Sequence, residues 1–232
     1  QQTSYECVLQ YHEYIRIGFE EDHARVRDCL ERVIAAEPNY AEAYAYLADM
    51  YLQEVIFGYN PVSDSSFERM LAMAERGVAI GPDNAVANGR LAQALLFMGE
   101  RERALLAIEE ALRLAPNSLE TFMMAGEVYD RTGDFDKALE FWDRAVALNP
   151  NYPKYMNWWP ARASLARGDF AGAVHWIERT GLASIFYANE AFLAAARCLQ
   201  GNVADGEAAV ARALELKPDW IEAFWDEAEF WN

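Results

Sequence analysis

Several features that would assign a common function are scarce in this sequence. Its 232 residues include 3 His and 20 Lys plus Arg against 37 Asp plus Glu, which gives a formal net charge of −17. A polyanion neutralises no phosphates and releases no counterions, so nucleic acid and anionic membrane surfaces are unfavourable partners. The sequence also lacks an apolar run of the ~18 residues that a bilayer-spanning helix needs. We therefore expect neither nucleic-acid binding nor direct membrane insertion.

Signatures of catalysis and of metal binding are missing as well. His12, His23 and His175 are too scattered for an HExxH-type ligand pair, and no two cysteines form a CxxC motif. The sequence contains no GxSxG turn and no glycine-rich phosphate loop. We predict that the chain is not an enzyme and that it has no cofactor and no metal ion.

What the sequence does contain is a repeat. Pro82, Pro116 and Pro150 are spaced by 34 residues, and Gly99 and Gly133 keep the same step. A fixed period of this length is the signature of stacked supersecondary units.

One unit shows how the repeat folds. In LETFMMAGEVYDRTGDFDKALEFWDRAVALNPNY, residues 119–152, two stretches with apolar residues at three- and four-residue spacing flank the segment TGDF. Gly133 can adopt a positive φ and end the first helix, and Pro150 cannot continue the second. Small residues at Gly126 and Ala138 let the two helices approach, and Trp142 fills the space beside them. The unit predicts an antiparallel helix pair.

This pattern resembles the tetratricopeptide repeat, which residues 119–152 match closely and residues 85–118 match well. The resemblance implies an all-α fold, a right-handed α-solenoid of about five or six stacked antiparallel helix pairs with a C-terminal capping helix. It also implies one array over 1–232, whose units are 5–40 (degenerate), 41–84 with an insertion at 53–66, 85–118, 119–152, 153–186 (divergent) and 187–220, with 221–232 as the cap.

The same resemblance identifies a binding face. Positions 2, 5, 9 and 12 of each first helix line the concave side in this family, and some members use a Lys/Asn/Arg clamp there to bind a C-terminal carboxylate. Asp49 and Glu127 stand where that clamp would be, so we expect a basic or amphipathic helical peptide instead. The partner-binding residues implied in this way are Asp49, Leu52, Gln93, Leu96, Met123, Glu127, Asp130 and Asn157.

The leading hypothesis is therefore a protein–protein interaction scaffold. The alternative is a small-ligand sensor that uses the aromatic segment 152–159 around Trp158. Pro160 removes a helical hydrogen bond, and we expect it to kink the helix near Met156. Aromatic residues at helical spacing are more often core, however, and that interpretation stays open beside the sensor.

Two further segments stand out. Ile56, Phe57 and Tyr59 are apolar residues in the insertion, which is expected to be a loop; they either pack back over the first two units or present a contact patch, with packing favoured. The terminal helix either caps the array or docks a second copy as a homodimer, through Ile221, Phe224, Trp225 and Phe230.

The cysteines leave the compartment open. Cys7 and Cys29 lie on the two helices of the first unit, and Cys198 leaves the total odd. In an ideal repeat Cys7 and Cys29 are more than a helical turn out of register, so a disulfide is not favoured; if it forms, it indicates an oxidising compartment.

A narrower resemblance covers residues 4–61. SYECVLQYHEYIRIGF, the following repeat and FGYNP are similar to the C-terminal repeat region of bacterial signalling proteins. In those proteins the repeats follow a nucleotide cyclase domain or a winged-helix domain with a membrane span. The resemblance implies a sensory or scaffolding module, in the cytoplasm or the periplasm according to the parent protein, with the periplasm slightly favoured.

Overall fold

The structure is a computed structural model that describes residues 3–16, 20–61, 66–179 and 187–219. Throughout these ranges the regular structure is helical, and they contain no strand. The all-α fold expected from the sequence is confirmed. The helices are α1 (Ser4–Tyr14), α2 (Glu20–Ala36), α3 (Ala41–Phe57), α4 (Ser66–Ile80), α5 (Ala85–Phe97), α6 (Arg101–Leu114), α7 (Leu119–Arg131), α8 (Phe135–Leu148), α9 (Trp158–Ala166), α10 (Phe170–Glu178), α11 (Tyr187–Leu199) and α12 (Val203–Leu216), with a 3-10 helix at Lys154–Asn157.

Successive helices form antiparallel pairs. The C-terminal end of α3 meets the start of α4, where the Ser66 hydroxyl donates to Glu54 Oε2 over 2.7 Å. At the other end, a Cβ on Gly77 of α4 would lie 3.3 Å from the Ala41 carbonyl oxygen at the start of α3. Glycine at position 77 therefore allows the two helices to approach closely.

Two compact units make up the chain. Unit 1 comprises Gln1–Val128 and Arg144–Pro153, and unit 2 comprises Tyr129–Asp143 and Lys154–Asn232. The single array over 1–232 and its right-handed superhelix stay predictions.

Each unit has its own buried apolar residues. In unit 1, Leu47, Met50 and Met70 are fully buried in one cluster, against which Tyr11 and Tyr14 of α1 also pack. In unit 2, the large side chain of Trp142 is fully buried beside the small Ala138 that precedes it by one helical turn. The large Trp142 and the small Ala138 thus lie together, as the repeat pattern predicted for the crossing of the paired helices.

Glycine ends the first helix of several pairs in the way the sequence predicted. Gly133 has φ 87°, and its amide donates to the Asp130 carbonyl over 3.1 Å. Gly99 repeats the conformation with φ 76° one period earlier. Glycine adopts the left-handed backbone conformation without steric strain, and this conformation ends the helix before the chain turns into the next one.

The disulfide expectation was wrong. Cys7 and Cys29 are bonded, with Cα atoms 5.5 Å apart. The first helix pair does not keep the register of an ideal repeat, since α1 has 11 residues and α2 has 17. The degenerate sequence of this unit therefore brings the two cysteines to the same level. Cys198 remains a free, exposed thiol.

The insertion is partly helical and packs inwards. The expectation that Ile56 lies in a loop is wrong, because α3 continues to Phe57. Gly58 then caps the helix with φ 69°. Ile56 packs against the main cluster of unit 1, and the Tyr59 ring lies edge-on to His23 with centroids 6.0 Å apart. The side chain of Phe57 and residues 62–65 lie outside the described part of the chain.

The expectation that Pro160 kinks a helix near Met156 is wrong, because no single α-helix runs through that residue. Residues Lys154–Asn157 form a 3-10 helix, and α9 begins at Trp158. Pro160 consequently lies in the first turn of α9, where backbone amides have no intrahelical acceptor and a missing N–H leaves no bond unmade.

His23 is buried between α2, α3 and the insertion. Its Nε2 lies 2.9 Å from the Met50 carbonyl oxygen, and since a carbonyl only accepts, Nε2 carries the proton. Nδ1 is buried without a hydrogen-bond partner. Burial lowers the pKa of His23 below 6.5, although the Met50 carbonyl and Glu54 oppose this shift.

We predict a pH dependence of stability from this ring. Because the folded chain holds His23 below its unfolded pKa, the unfolded chain takes up the proton first. The free energy of unfolding is therefore complete above the ordinary histidine pKa of 6.5 and falls as the pH drops below it, by at most ~1.4 kcal/mol per pH unit. Urea unfolding followed by circular dichroism between about pH 5.5 and 7.5 measures this. His23→Gln removes the slope, whereas His12→Gln, at an exposed ring, retains it; equal slopes in all three proteins would contradict the prediction.

Candidate partner-binding face

The residues predicted to bind a partner fall into two groups by exposure. Met123 and Leu96 are half-buried. The other six are buried: Asp49, Leu52, Gln93 and Glu127 in unit 1, and Asp130 and Asn157 in unit 2. The buried residues shape the wall of the predicted face from within, and their polar groups engage other residues of the chain.

Asp49 is a buried carboxylate of unit 1 that pairs with side chains of α1, α3 and α5. Its Oδ1 lies 2.7 Å from Arg90 Nη1. Its Oδ2 accepts from the Tyr11 hydroxyl over 2.8 Å and from Gln53 Nε2 over 3.1 Å. The charge that the sequence assigned to the groove is therefore compensated inside the chain.

Arg90 extends this pairing across three helices. Its Nη2 donates to the Tyr11 hydroxyl over 2.8 Å and to Glu120 Oε1 of α7 over 3.2 Å. Its Nη1 donates to Gln93 Oε1 over 2.8 Å, and Gln93 in turn donates to Glu127 Oε2 over 2.5 Å. We call Tyr11, Asp49, Arg90, Gln93 and Glu120 the Arg90 network.

Burial sets the protonation behaviour of this network. Burial raises the pKa of the Tyr11 phenol, which therefore stays neutral. The neutral hydroxyl can donate to Asp49 and accept from Arg90 at the same time. Burial also raises the pKa of Glu120, and the Arg90 charge opposes that shift. The pKa of Arg90 itself is raised: desolvation would lower it, but the surrounding acids outweigh this. Arg90 is thus a permanent cation.

The sequence pattern did not identify Arg90, because it occupies position 6 of its repeat unit, which is not one of the four groove positions. A signal was present, since Arg90 is a cation within a first helix that is otherwise apolar or uncharged. Long arginine side chains reach charges on neighbouring helices.

Unit 2 contains a similar pair. Arg162 Nε donates to Asp130 Oδ2 over 2.8 Å, and Arg162 Nη2 contacts the same oxygen. Burial raises the pKa of Asp130, while the Arg162 charge opposes the shift. Asn157 is fully buried on the 3-10 helix that precedes Arg162.

A smaller surface remains accessible on the face. Five side chains at the predicted groove positions of unit 1 are half-buried, and Glu120 keeps 30% of its side chain exposed. We call these residues the docking face: Glu42 of α3, Val86 and Leu96 of α5, and Glu120 and Met123 of α7. Because Arg90 of α5 contacts both α3 and α7, α5 lies between the two acidic residues.

The aromatic residues around Trp158 form core. Trp158 and Trp159 are 4% and 3% exposed, and their rings stack with centroids 3.9 Å apart. Phe192 stacks on Trp158 at 6.2 Å, and the Arg131 guanidinium lies 5.0 Å from the Trp159 centroid. Protein groups therefore cover the surface that a sensor would offer to a small ligand.

Three further expectations concern membrane insertion, metal binding and the C-terminal residues. In the described ranges, no helix combines the length and apolarity that a membrane span requires. Nor do His, Cys, Asp and Glu residues there gather in threes or more around a potential metal site. The terminal residues Ile221, Phe224, Trp225 and Phe230, on which the homodimer hypothesis depends, lie outside the described residues.

Paired helices with a regular pitch, small residues at the crossings and glycine-ended first helices define the class of α-helical repeat proteins. Residues 90–153 match the family model of the tetratricopeptide repeat. Residues 90–153 are therefore tetratricopeptide repeats, and the resemblance read from the sequence is confirmed.

Known proteins support this assignment. Human IFIT1, an antiviral innate immune response effector, is 28% identical over 130 residues, which cover 56% of this chain and 27% of IFIT1. A structure of the human IFIT1 dimer with m7Gppp-AAAA has a TM-score of 0.72 at 22% identity and covers 83% of this chain and 46% of that one. The type IV pilus biogenesis factor PilW has a TM-score of 0.65 at 16% identity, covering 94% of this chain and 95% of PilW.

A third structure is YrrB, described as a tetratricopeptide-repeat protein with an unusual peptide-binding site. It has a TM-score of 0.54 at 18% identity and covers 86% of this chain and 97% of YrrB. At these identities the structures show the shared fold alone. The chain spans between 18% and 30% of the length of the first three curated relatives. The match to the tetratricopeptide-repeat family model points to a non-catalytic fold.

We predict that the Arg90 network is a main source of stability in unit 1. Arg90→Ala leaves Asp49 buried without its cation and lowers the free energy of unfolding by about 3–5 kcal/mol. Urea unfolding measures the loss. Arg103→Ala is the matched control, because Arg103 pairs with Glu100 at the surface with 55% of its side chain exposed. A loss no larger for Arg90→Ala than for Arg103→Ala would refute the role of the network.

Proposed function

We propose that this chain is a non-catalytic interaction module that binds a basic, amphipathic helical segment of a partner protein on the docking face of unit 1. The tetratricopeptide fold supports a protein- or peptide-binding scaffold in general. The observation that supports this particular partner is the composition of the docking face, in which acidic side chains flank apolar ones.

The arrangement of the docking face fits such a segment. Glu42 and Glu120 occupy the same repeat position on α3 and α7, and Val86 occupies it on α5 between them. Met123 adds a flexible apolar side chain one helical turn from Glu120, a residue type that adapts to different partners. Lysine or arginine side chains on both flanks of a partner helix can pair with the carboxylates while its apolar side chains contact Val86 and Met123.

The wider context of the proposal comes from the sequence. Similarity of residues 4–61 to the repeat regions of bacterial signalling proteins supports a parent protein with a regulatory role. The small-ligand alternative finds less support, because Trp158 and Trp159 are packed against protein.

A direct test uses a synthetic helix of about 15 residues with leucines on one face and lysines on its flanks, labelled for fluorescence anisotropy. We expect saturable binding that weakens as salt increases. Glu42→Gln with Glu120→Gln removes two partly exposed charge contacts, and we expect the affinity to fall by about fivefold to thirtyfold. Met123→Ala lowers it further, through lost apolar contact.

Controls separate the docking face from general attraction to a chain of charge −17. Glu102→Gln with Glu109→Gln removes the same charge from exposed positions of α6, and Leu106→Ala truncates a leucine that is 67% exposed there. These variants keep the original affinity if the proposal is right. Equal losses in the α6 and docking-face variants, or no peptide binding at all, would reject it.

Nucleic acid provides a further comparison, because human IFIT1 has been solved with PPP-AAAA. We expect the same RNA not to bind this chain, since the net charge of −17 repels phosphates. Tight binding of the RNA would replace the peptide proposal with a nucleic-acid function.

A further inference from the structure

Helix α1 is a short helix whose position depends on a few contacts. It has 11 residues and begins at a capping box in which Thr3 and Glu6 satisfy each other's backbone groups. Isolated helices shorter than about 12–15 residues are marginal in water. One face, with Val8, Tyr11 and Tyr14, is buried, while Tyr5 on the opposite face is 67% exposed. Tertiary contacts therefore decide whether α1 stays in place.

The Cys7–Cys29 disulfide is the covalent contact among them. Both cysteines are buried, at 2% and 0% exposure, and they join α1 to α2 across 22 residues of sequence. Cys7 lies four residues before Tyr11, so the two side chains project from the same side of α1. The disulfide thus fixes the rotation of α1 that directs Tyr11 towards α3.

Tyr11 connects α1 to the Arg90 network. Its ring stacks on Tyr46 with centroids 4.2 Å apart. Its hydroxyl donates to Asp49 Oδ2 over 2.8 Å and accepts from Arg90 Nη2 over 2.8 Å. That same Nη2 is 3.2 Å from Glu120 Oε1, so one nitrogen is shared between Tyr11 and a residue of the docking face.

We propose that Tyr11 is a positioning residue of the docking face, that its hydroxyl competes with Glu120 for Arg90 Nη2, and that the Cys7–Cys29 disulfide keeps Tyr11 in place. Without the Tyr11 hydroxyl, Arg90 Nη2 has Glu120 as its remaining acceptor and moves towards it. Arg90 then offsets more of the Glu120 charge than it does across the present 3.2 Å, and the carboxylate attracts a cationic partner less strongly. The effect on binding rests on the function proposed above, whereas the effect on unit 1 does not.

The Cys7–Cys29 disulfide can be reduced to two thiols. A dithiol reductant transfers two electrons and two protons to the disulfide, yields thiols at Cys7 and Cys29 and becomes a disulfide itself. Since both sulfur atoms are buried, the reductant reaches them when α1 opens. The bond therefore forms as the chain folds and persists in an oxidising compartment. It follows that the form competent for binding is made in such a compartment.

The first experiment needs no ligand. All chains carry Cys198→Ser, which excludes the exposed thiol, and amide hydrogen exchange is compared between this protein and its Cys7→Ala/Cys29→Ala derivative. We expect exchange in α1 to accelerate at least about tenfold, because the cross-link no longer restrains local opening. The acceleration extends to α3 around Asp49 and to α5 around Arg90, while α11 and α12 are unchanged. Acceleration confined to α1, or none, would overturn the proposal.

The second experiment tests the role of the hydroxyl with the disulfide intact. Tyr11→Phe keeps the ring that stacks on Tyr46, and it is compared in the original and Glu120→Gln chains with the lysine–leucine peptide. We expect Tyr11→Phe to weaken binding at least about threefold in the original chain and to have no effect in the Glu120→Gln chain, which has no carboxylate to neutralise.

The outcomes of the second experiment are distinct. An equal loss in both backgrounds would show that Tyr11 supports the fold without acting through Glu120, and would overturn the proposal. If the peptide binds neither chain, the function proposed above fails, and the exchange experiment alone decides whether the disulfide and Tyr11 hold the network. If the Cys7→Ala/Cys29→Ala chain does not fold, Tyr11→Phe is measured by exchange instead, and unchanged protection of α5 would overturn the proposal.

Discussion

The alignment of α1, α3, α5 and α7 in unit 1 depends on the burial of Arg90. Taking a guanidinium out of water costs several kcal/mol, and good geometry with several acceptors is needed to offset that cost. Arg90 meets this condition only while α1, α3, α5 and α7 keep their relative positions, because its acceptors lie on all four helices. Apolar packing would tolerate small shifts between these helices; a buried charge does not. The Arg90 network therefore specifies how successive helix pairs align.

The side chains at the predicted groove positions fall into two sets. Side chains at position 9, which are Asp49, Gln93 and Glu127, turn into the structure and link one helix to the next. Side chains at position 2 and Met123 stay half-exposed. Both sets of side chains belong to the same helices, α3, α5 and α7. Repeat position separates the two sets, although Glu120 at position 2 also accepts from Arg90.

Much of the fold could be predicted because it depends on local rules repeated at a fixed period. Helix pairs, the positive φ of Gly133 and the small residues at the helix crossings all follow from residue type and spacing. The disulfide could not be predicted, because the register of the degenerate first pair is set by tertiary packing. The burial of Asp49 and Asp130 was missed for a related reason: sequence position assigns a residue to a face, but the arginines that cover that face reach it from other helices.

The distribution of cations bears on the charge that this acidic chain keeps at its surface. The chain has 20 Lys plus Arg for 37 Asp plus Glu, and some of those cations are committed to the interior. Arg27 and Arg90 are both at most 8% exposed, and they pair with Glu54 and Asp49, which are equally buried. Each such pair removes one charge of either sign from the surface and leaves the excess of 17 negative charges on what remains. The arginines that pair with buried carboxylates are thus not available to offset the negative charge at the surface. Basic groups are the ones that complement exposed carboxylates.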